Sequence, residues 1–256
     1  GAEICLIIDG NTIHLGQTQS VQKFGQYSKF DYDRPGRDSH SGMLPPKLAK
    51  MMLNLARPTS YQLPATILDP FCGSGTILMQ AALLGYTNII GSDLSPKAIA
   101  DTKQNLAFLT KSLPQLPVTS YQLHVLDATK LSTILKPNSI DTIVTEPFLG
   151  PPLRGSESTE TIKKIISELS ALYLRAFAEF KKILRPGGAV VIIFPVLKSW
   201  PSINDVELEQ IRELGFTSSW NIPESLRLLL TRRQSVIYAR PGQKIEREIF
   251  VFRKIK

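Results

Sequence analysis

The segment Asp69-Pro70-Phe71-Cys72-Gly73-Ser74-Gly75-Thr76 admits few folds. It is entered from the apolar run Thr66-Ile67-Leu68 and left through Ile77-Leu78-Met79-Gln80-Ala81-Ala82, which reads as a strand, a glycine turn and the N-terminus of a helix. Gly73 and Gly75 permit positive φ and a backbone approach that a Cβ would block. The first free N–H groups of the helix point at the same turn. A chain built this way holds a small molecule there. Leu78 stands where G-x-G-x-x-G needs its third glycine, so a pyrophosphate cradle is the weaker reading.

The pattern after the turn alternates. Strands are expected over 66–71, 88–94, 120–127, 140–147, 189–197 and 216–220, with helices over 75–85, 95–109, 158–184 and 205–214 between them. Arg185-Pro186-Gly187-Gly188 stops the long helix. Strands alternating with helices predict an α/β, doubly wound, mostly parallel sheet. The segments 234–240 and 247–252, joined through Pro241-Gly242, add an antiparallel C-terminal hairpin. Before the core, residues 4–19 read as a hairpin around Asp9-Gly10-Asn11, the stretch to Asp38 as a linker or loop, and Pro45 to Ala56 as a helix that starts on proline. The expected division is therefore 1–38, a hairpin and linker at an upstream junction, and 39–256, the α/β domain.

Three successive strands end in acids. Asp93 closes the second strand about 20 residues beyond the turn, where a carboxylate grips a ribose diol. Asp127 closes the third, placed to accept from an adenine amine. With Asp69 on the first, the series describes a pocket for S-adenosylmethionine rather than for a dinucleotide.

Length and charge bound the rest. A chain of 256 residues can bury one large core with a small appendage. No apolar run approaches a membrane span, and no charged-then-apolar leader opens the chain, so a cytoplasmic protein is expected. Cys5 and Cys72 are too far apart to imply a disulfide framework or a metal knuckle, and His14, His40 and His124 are unclustered, so no metal is expected. Cys72 reads as a small buried turn residue in preference to a nucleophile. Of the net charge of +8, a surplus of seven lies between Arg227 and Lys256. Arg232, Arg233, Arg240, Lys244 and Arg247 suit contacts to RNA phosphates, and an edge strand protected by charge is the equal alternative.

With these segments in view, the chain resembles the class I S-adenosylmethionine-dependent methyltransferases. The run from Gly36 to Ala49, the Asp69–Thr76 turn, and the ending Tyr238-Ala239-Arg240-Pro241-Gly242-Gln243-Lys244 with Arg247-Glu248-Ile249 resemble, more narrowly, the THUMP-associated tRNA guanosine 2-amino methyltransferases. The resemblance implies a seven-stranded Rossmann-like sheet and methylation of the exocyclic 2-amino group of a guanosine in tRNA. It implies that Gly42, Met43, Leu44, Asp69, Phe71, Gly73, Gly75, Thr76, Asp93, Leu94, Asp127 and Ala128 bind the cofactor. It also implies tRNA capture by a THUMP domain that is absent here, and Gly1 in place of Met is read as a sign of a fragment.

The departure is at the catalytic strand. The family pattern is Asp-Pro-Pro-aromatic, and this chain has Glu146-Pro147-Phe148-Leu149. A ring amine is a poor nucleophile, so the site must accept its hydrogens, align it and take up the departing proton. Glu146 supplies a carboxylate, Pro147 a strand-end carbonyl, and Phe148 an aromatic face for a flipped base. A DNA amino-methyltransferase and a noncatalytic cofactor- or RNA-binding subunit remain as alternatives, and a strand terminus without catalytic duty is the bland reading of Glu146-Pro147. Oligomeric state is not legible.

Overall fold

A computed structural model describes residues 3–22, 24–37, 43–56, 65–116, 120–197, 200–220, 222–240 and 242–255. They fall into two compact units, 1–33 and 34–256.

The first unit contains β1 (Ile4–Asp9), β2 (Thr12–Gln17) and α1 (Phe24–Tyr32). Gly10 turns at φ +55 and closes the antiparallel β1–β2 ladder. Register puts Ile4, Leu6, Ile8, Ile13 and Leu15 on one face, and all five are exposed. α1 falls where a linker or loop was expected.

The second unit runs α2 (Pro46–Ala56), β3 (Thr66–Asp69), α3 (Thr76–Leu83), β4 (Asn88–Asp93), α4 (Pro96–Ser112), β5 (Ser120–Val125), β6 (Ile140–Thr145), α5 (Thr159–Ile183), β7 (Leu184–Leu197), β8 (Trp200–Pro201), α6 (Asp205–Glu213), β9 (Phe216–Ser218), β10 (Val236–Tyr238) and β11 (Ile245–Lys254). The main sheet path is β10-β11-β7-β6-β3-β4-β5, seven strands in sequence, with β8 on β7 and β9 on β11. β5 to β7 pair in parallel, and β11 is antiparallel to β7. The doubly wound sheet with an antiparallel C-terminal hairpin is thus present.

β9 and β10 both pair with β11, one at Phe252–Lys254 and the other at Arg247–Ile249. They are two halves of one strand, interrupted by the excursion 219–235. Trp220 Nε1 donates to Gln234 O at 2.8 Å across the base of that excursion. Its short 3-10 helix, Glu224–Leu229, leaves Leu228 80% exposed.

The longest helix carries much of the core. α5 buries Ile162, Ile165, Leu169, Tyr173, Phe177, Phe180 and Ile183, a three- and four-residue spacing that makes one stripe. Phe177 meets the edges of Phe216 and Phe252 at 5.1 and 5.4 Å. Such pairs contribute ~0.5–1.5 kcal/mol beyond the area they bury. Ser158 caps the helix by accepting from Thr161 N at 3.1 Å. At its other end the four residues 185–188 bulge against Asp141, since the β6–β7 register runs from Ile140–Leu184 directly to Thr142–Ala189.

Candidate active site

The turn after β3 is held from below. Asp69 is 1% exposed, and its Oδ1 accepts from Phe71 N at 3.2 Å and from Thr145 Oγ1 at 2.7 Å. Thr145 ends β6, so one carboxyl group bolts the turn to the strand tip that carries Glu146. Burial pushes Asp69 up to about 8, and the neighbouring charges of Asp93 and Glu146 add to the rise. Burial also pushes the Cys72 thiol up, with Asp69 and Asp93 adding to it, which leaves a protonated thiol and a poor nucleophile.

The two turn glycines do different work. Gly75 lies at φ +84, and a Cβ there would come within 2.8 Å of Thr102 Cγ2 on α4. Gly73 lies at φ +51 with nothing within 4 Å of an added Cβ, so the floor of the turn is bare backbone beside open space. Thr102 Oγ1 donates to Gly73 O at 2.7 Å, and Asn105 Nδ2 donates to Ser74 O at 2.7 Å. Asn105 also exchanges hydrogen bonds with both backbone groups of Gly36. Neither residue was singled out from the sequence. The signal was there, because both are polar positions on the stripe that buries Leu106 and Leu109.

Beside the turn, the Asp93 carboxylate accepts Gly73 N on one oxygen and Ser95 N on the other, both at 2.9 Å. Roughly two of its ~four lone-pair sites remain, which suits a vicinal diol. Leu94 next to it is exposed. Asp127 Oδ1 accepts Thr129 N and Thr129 Oγ1, each at 2.8 Å, and the backbone bond foremost holds this carboxyl below its ordinary value. Ala128 behind it is buried. Leu126 N donates to Asp93 O at 3.0 Å and ties the two acid-bearing tips together. Phe71 is half-buried. Arg34 bridges two further candidates, Thr76 Oγ1 at 2.7 Å and Met43 Sδ at 2.8 Å, with Leu44 buried nearby in sequence. Gly42 and His40 lie outside the described residues.

The β6 tip is more tightly engaged than its sequence implies. Arg247 Nε donates to Glu146 Oε1 at 2.6 Å, with the two side chains 11% and 13% exposed. Burial outweighs this partner and raises the Glu146 carboxyl above its ordinary value. Pro147 is buried, and Phe148 is 57% exposed. The Phe148 carbonyl is already taken by Tyr173 Oη at 2.6 Å.

Four of the five basic residues expected to meet RNA are engaged within the protein. Besides Arg247, Arg233 pairs with the buried Glu248 at 2.7 Å and donates to Ile203 O. Lys244 Nζ donates to Leu153 O at 3.1 Å and Arg154 O at 2.6 Å, and Arg240 Nε donates to Tyr238 Oη at 2.8 Å. For Arg247 the reason is topological: β11, which carries it, is flanked by β7 and β10 and is no edge. Arg232 is exposed. Among the described residues, no group of three His, Cys, Asp or Glu is arranged to hold a metal, and no helix is long and apolar enough to cross a membrane.

The arrangement offers a bare turn, two carboxylates suited to a nucleoside, and a separate carboxylate beside an exposed ring. A family model described as UPF0020: RMKL-like, methyltransferase domain, matches residues 35–214. The tRNA (guanine(10)-N2)-dimethyltransferase of Pyrococcus abyssi is 30% identical over 152 residues, 59% of this chain and 39% of that protein. The protein of the same name from Methanothermobacter thermautotrophicus is 32% identical over 129 residues, 50% of this chain and 34% of that one. The chain therefore spans well under half the length of these relatives. Among solved structures, TrmN from Thermus thermophilus shares the fold with a TM-score of 0.56 at 21% identity, covering 99% of this chain and 60% of its own.

Proposed function

Because the chain belongs to the UPF0020 family of RMKL-like methyltransferase domains, we propose that it methylates the exocyclic 2-amino group of a guanosine in tRNA, with S-adenosylmethionine as donor. The observation that carries the reading is the juxtaposition made by Asp69, which joins the glycine turn to the Glu146 strand tip through Thr145. The residues fit the donor: Asp93 keeps acceptor capacity for the ribose diol, Asp127 for the adenine amine, and the open backbone at Gly73 leaves room over the turn. When bound, S-adenosylmethionine supplies an electrophilic methyl group.

The chain's own residues do the rest. Phe148 presents an exposed ring on which a flipped base stacks, worth ~1–3 kcal/mol. Glu146 accepts an amine hydrogen and then the departing proton. Burial raises its carboxyl above the ordinary value, which makes it a stronger base than an exposed glutamate. With the Phe148 carbonyl held by Tyr173, the carboxylate and the carbonyls of Glu146 and Pro147 are the acceptors in play. The tRNA is captured mainly by a THUMP domain outside this chain, a reading supported by the greater length of the named relatives. The setting is cytoplasmic, in keeping with two free thiols.

A specific observation favours a second reading. Glu146 is closed into an ion pair, as suits a noncatalytic cofactor- or RNA-binding subunit. Transfer of labelled methyl to bulk tRNA, with DNA in parallel and nucleosides resolved after digestion, separates the two. Label in N2-methylguanosine is expected. Cofactor binding with no label in either nucleic acid, the THUMP region being restored, would leave the subunit reading.

A further inference from the structure

The partners of the strand tip come from the far end of the chain. Arg247 lies 101 residues beyond Glu146, on β11, where its backbone is paired with Pro195 of β7 and Tyr238 of β10. Strand alternation turns Glu248 the other way, where Arg233 Nη1 and Ser235 Oγ each reach it at 2.7 Å. β11 is thus pinned on both faces by buried ion pairs. Three residues before Arg247, the turn delivers Lys244 to the carbonyls of Leu153 and Arg154. The loop between these two anchors is the one that presents Phe148. It has little helix or sheet of its own, and it passes through Gly150 at φ +98 and Gly155 at φ +100. Further ties are Tyr173 to the Phe148 carbonyl, the Glu157 carboxylate to the Arg154 and Gly155 amides, and Leu153 packed on the core.

We infer that Arg247 and Lys244 are positioning residues, and that the β10–β11 hairpin is a brace that sets the aim of Glu146 and the shape of the loop 146–155. The inference rests on the methyltransferase reading for its kinetic consequence, not for its structural one. An Arg that is 11% exposed and closed on a carboxylate is not available to track phosphates, and a Lys spread over two carbonyls has spent most of its donors. A misplacement of about 1 Å at a reacting centre costs on the order of 10²-fold in rate.

The test uses the full chain, R247M, R247K, K244M, E146Q and the double variant E146Q/R247M. Hydrogen exchange is read first, and faster exchange across 146–158 is expected in R247M and K244M. With tRNA, R247M should lose roughly 10- to 10²-fold in kcat with KM for tRNA and affinity for S-adenosylhomocysteine little changed. R247K should recover part of the loss. The double variant should be no slower than E146Q, because Arg247 acts through Glu146, and it also removes the unpaired buried charge if R247M folds poorly. A rise in KM with a shallower salt dependence and intact kcat would overturn the brace in favour of phosphate contact, as would additive losses in the double variant. If the wild-type chain methylates nothing, the function reading falls alone, and exchange decides the brace: unchanged protection in both single variants overturns it.

Discussion

Asp69 makes the sharpest demand on pH. Its folded pKa of about 8 stands above the ~3.9 of an unfolded aspartate, so the native state binds the proton more tightly. The stability this contributes is complete below ~3.9 and is lost as pH rises through about 8. Asp69→Asn keeps an acceptor for Thr145 and Phe71 and cannot ionise. Urea denaturation at pH 5, 6 and 7 should show the variant gaining on the wild type by ~1 kcal/mol per pH unit, and parallel curves would show an ionised Asp69. Asp93→Ala acts on the cofactor instead. It should weaken S-adenosylhomocysteine by ~1.5–3 kcal/mol in calorimetry, the scale of hydrogen bonds to a charged group. For Glu146→Gln, turnover should fall by ~10²-fold or more with cofactor affinity intact, and wild-type turnover would leave the backbone carbonyls as the acceptors.

At the scale of elements, α4 is the clasp of the glycine turn. Asn105→Ala orphans the Ser74 carbonyl and both backbone groups of Gly36, at about 1–3 kcal/mol per buried group, and the loss should appear in the urea midpoint. That clasp shows which features a sequence exposes. The alternation of strands and helices from Thr66 onward was readable because each element carries its own period, and the glycine turn because only particular residues make one. α1 was not readable: Phe24–Tyr32 is short and holds Gly25, Ser28 and aromatics, all modest helix formers, so nothing local marked it. The three acids at the strand ends were legible as positions, because Asp69 and Asp93 close their own strands and Asp127 follows its strand by two residues. The Arg247–Glu146 pair was not, because it depends on the register of β11 against β7, set by packing over the whole sheet. The internal partners of the basic tail were equally hidden, since composition reports charge and is silent about partners.

For the molecule as a whole, a net charge of +8 suits a nucleic-acid substrate, but Arg233 and Arg247 of the C-terminal segment are closed on carboxylates within the protein. Exposed Arg232 should therefore carry more of the salt dependence of RNA binding than Arg233 or Arg247. Charge reversal at Arg232 should lower the slope of log K against log salt by ~0.7–0.9 for each phosphate that the side chain no longer neutralises, as measured by filter binding. The interrupted strand has a consequence of another kind. β11 splints β9 and β10 independently, so the residues between them are released from any fixed count. Lengthening a closed loop twofold costs only ~0.6 kcal/mol. The segment 224–229 is accordingly a place where this fold tolerates changes of length, a natural port for an inserted tag or domain, while one residue added within β11 would turn Arg247 and Glu248 onto each other's faces.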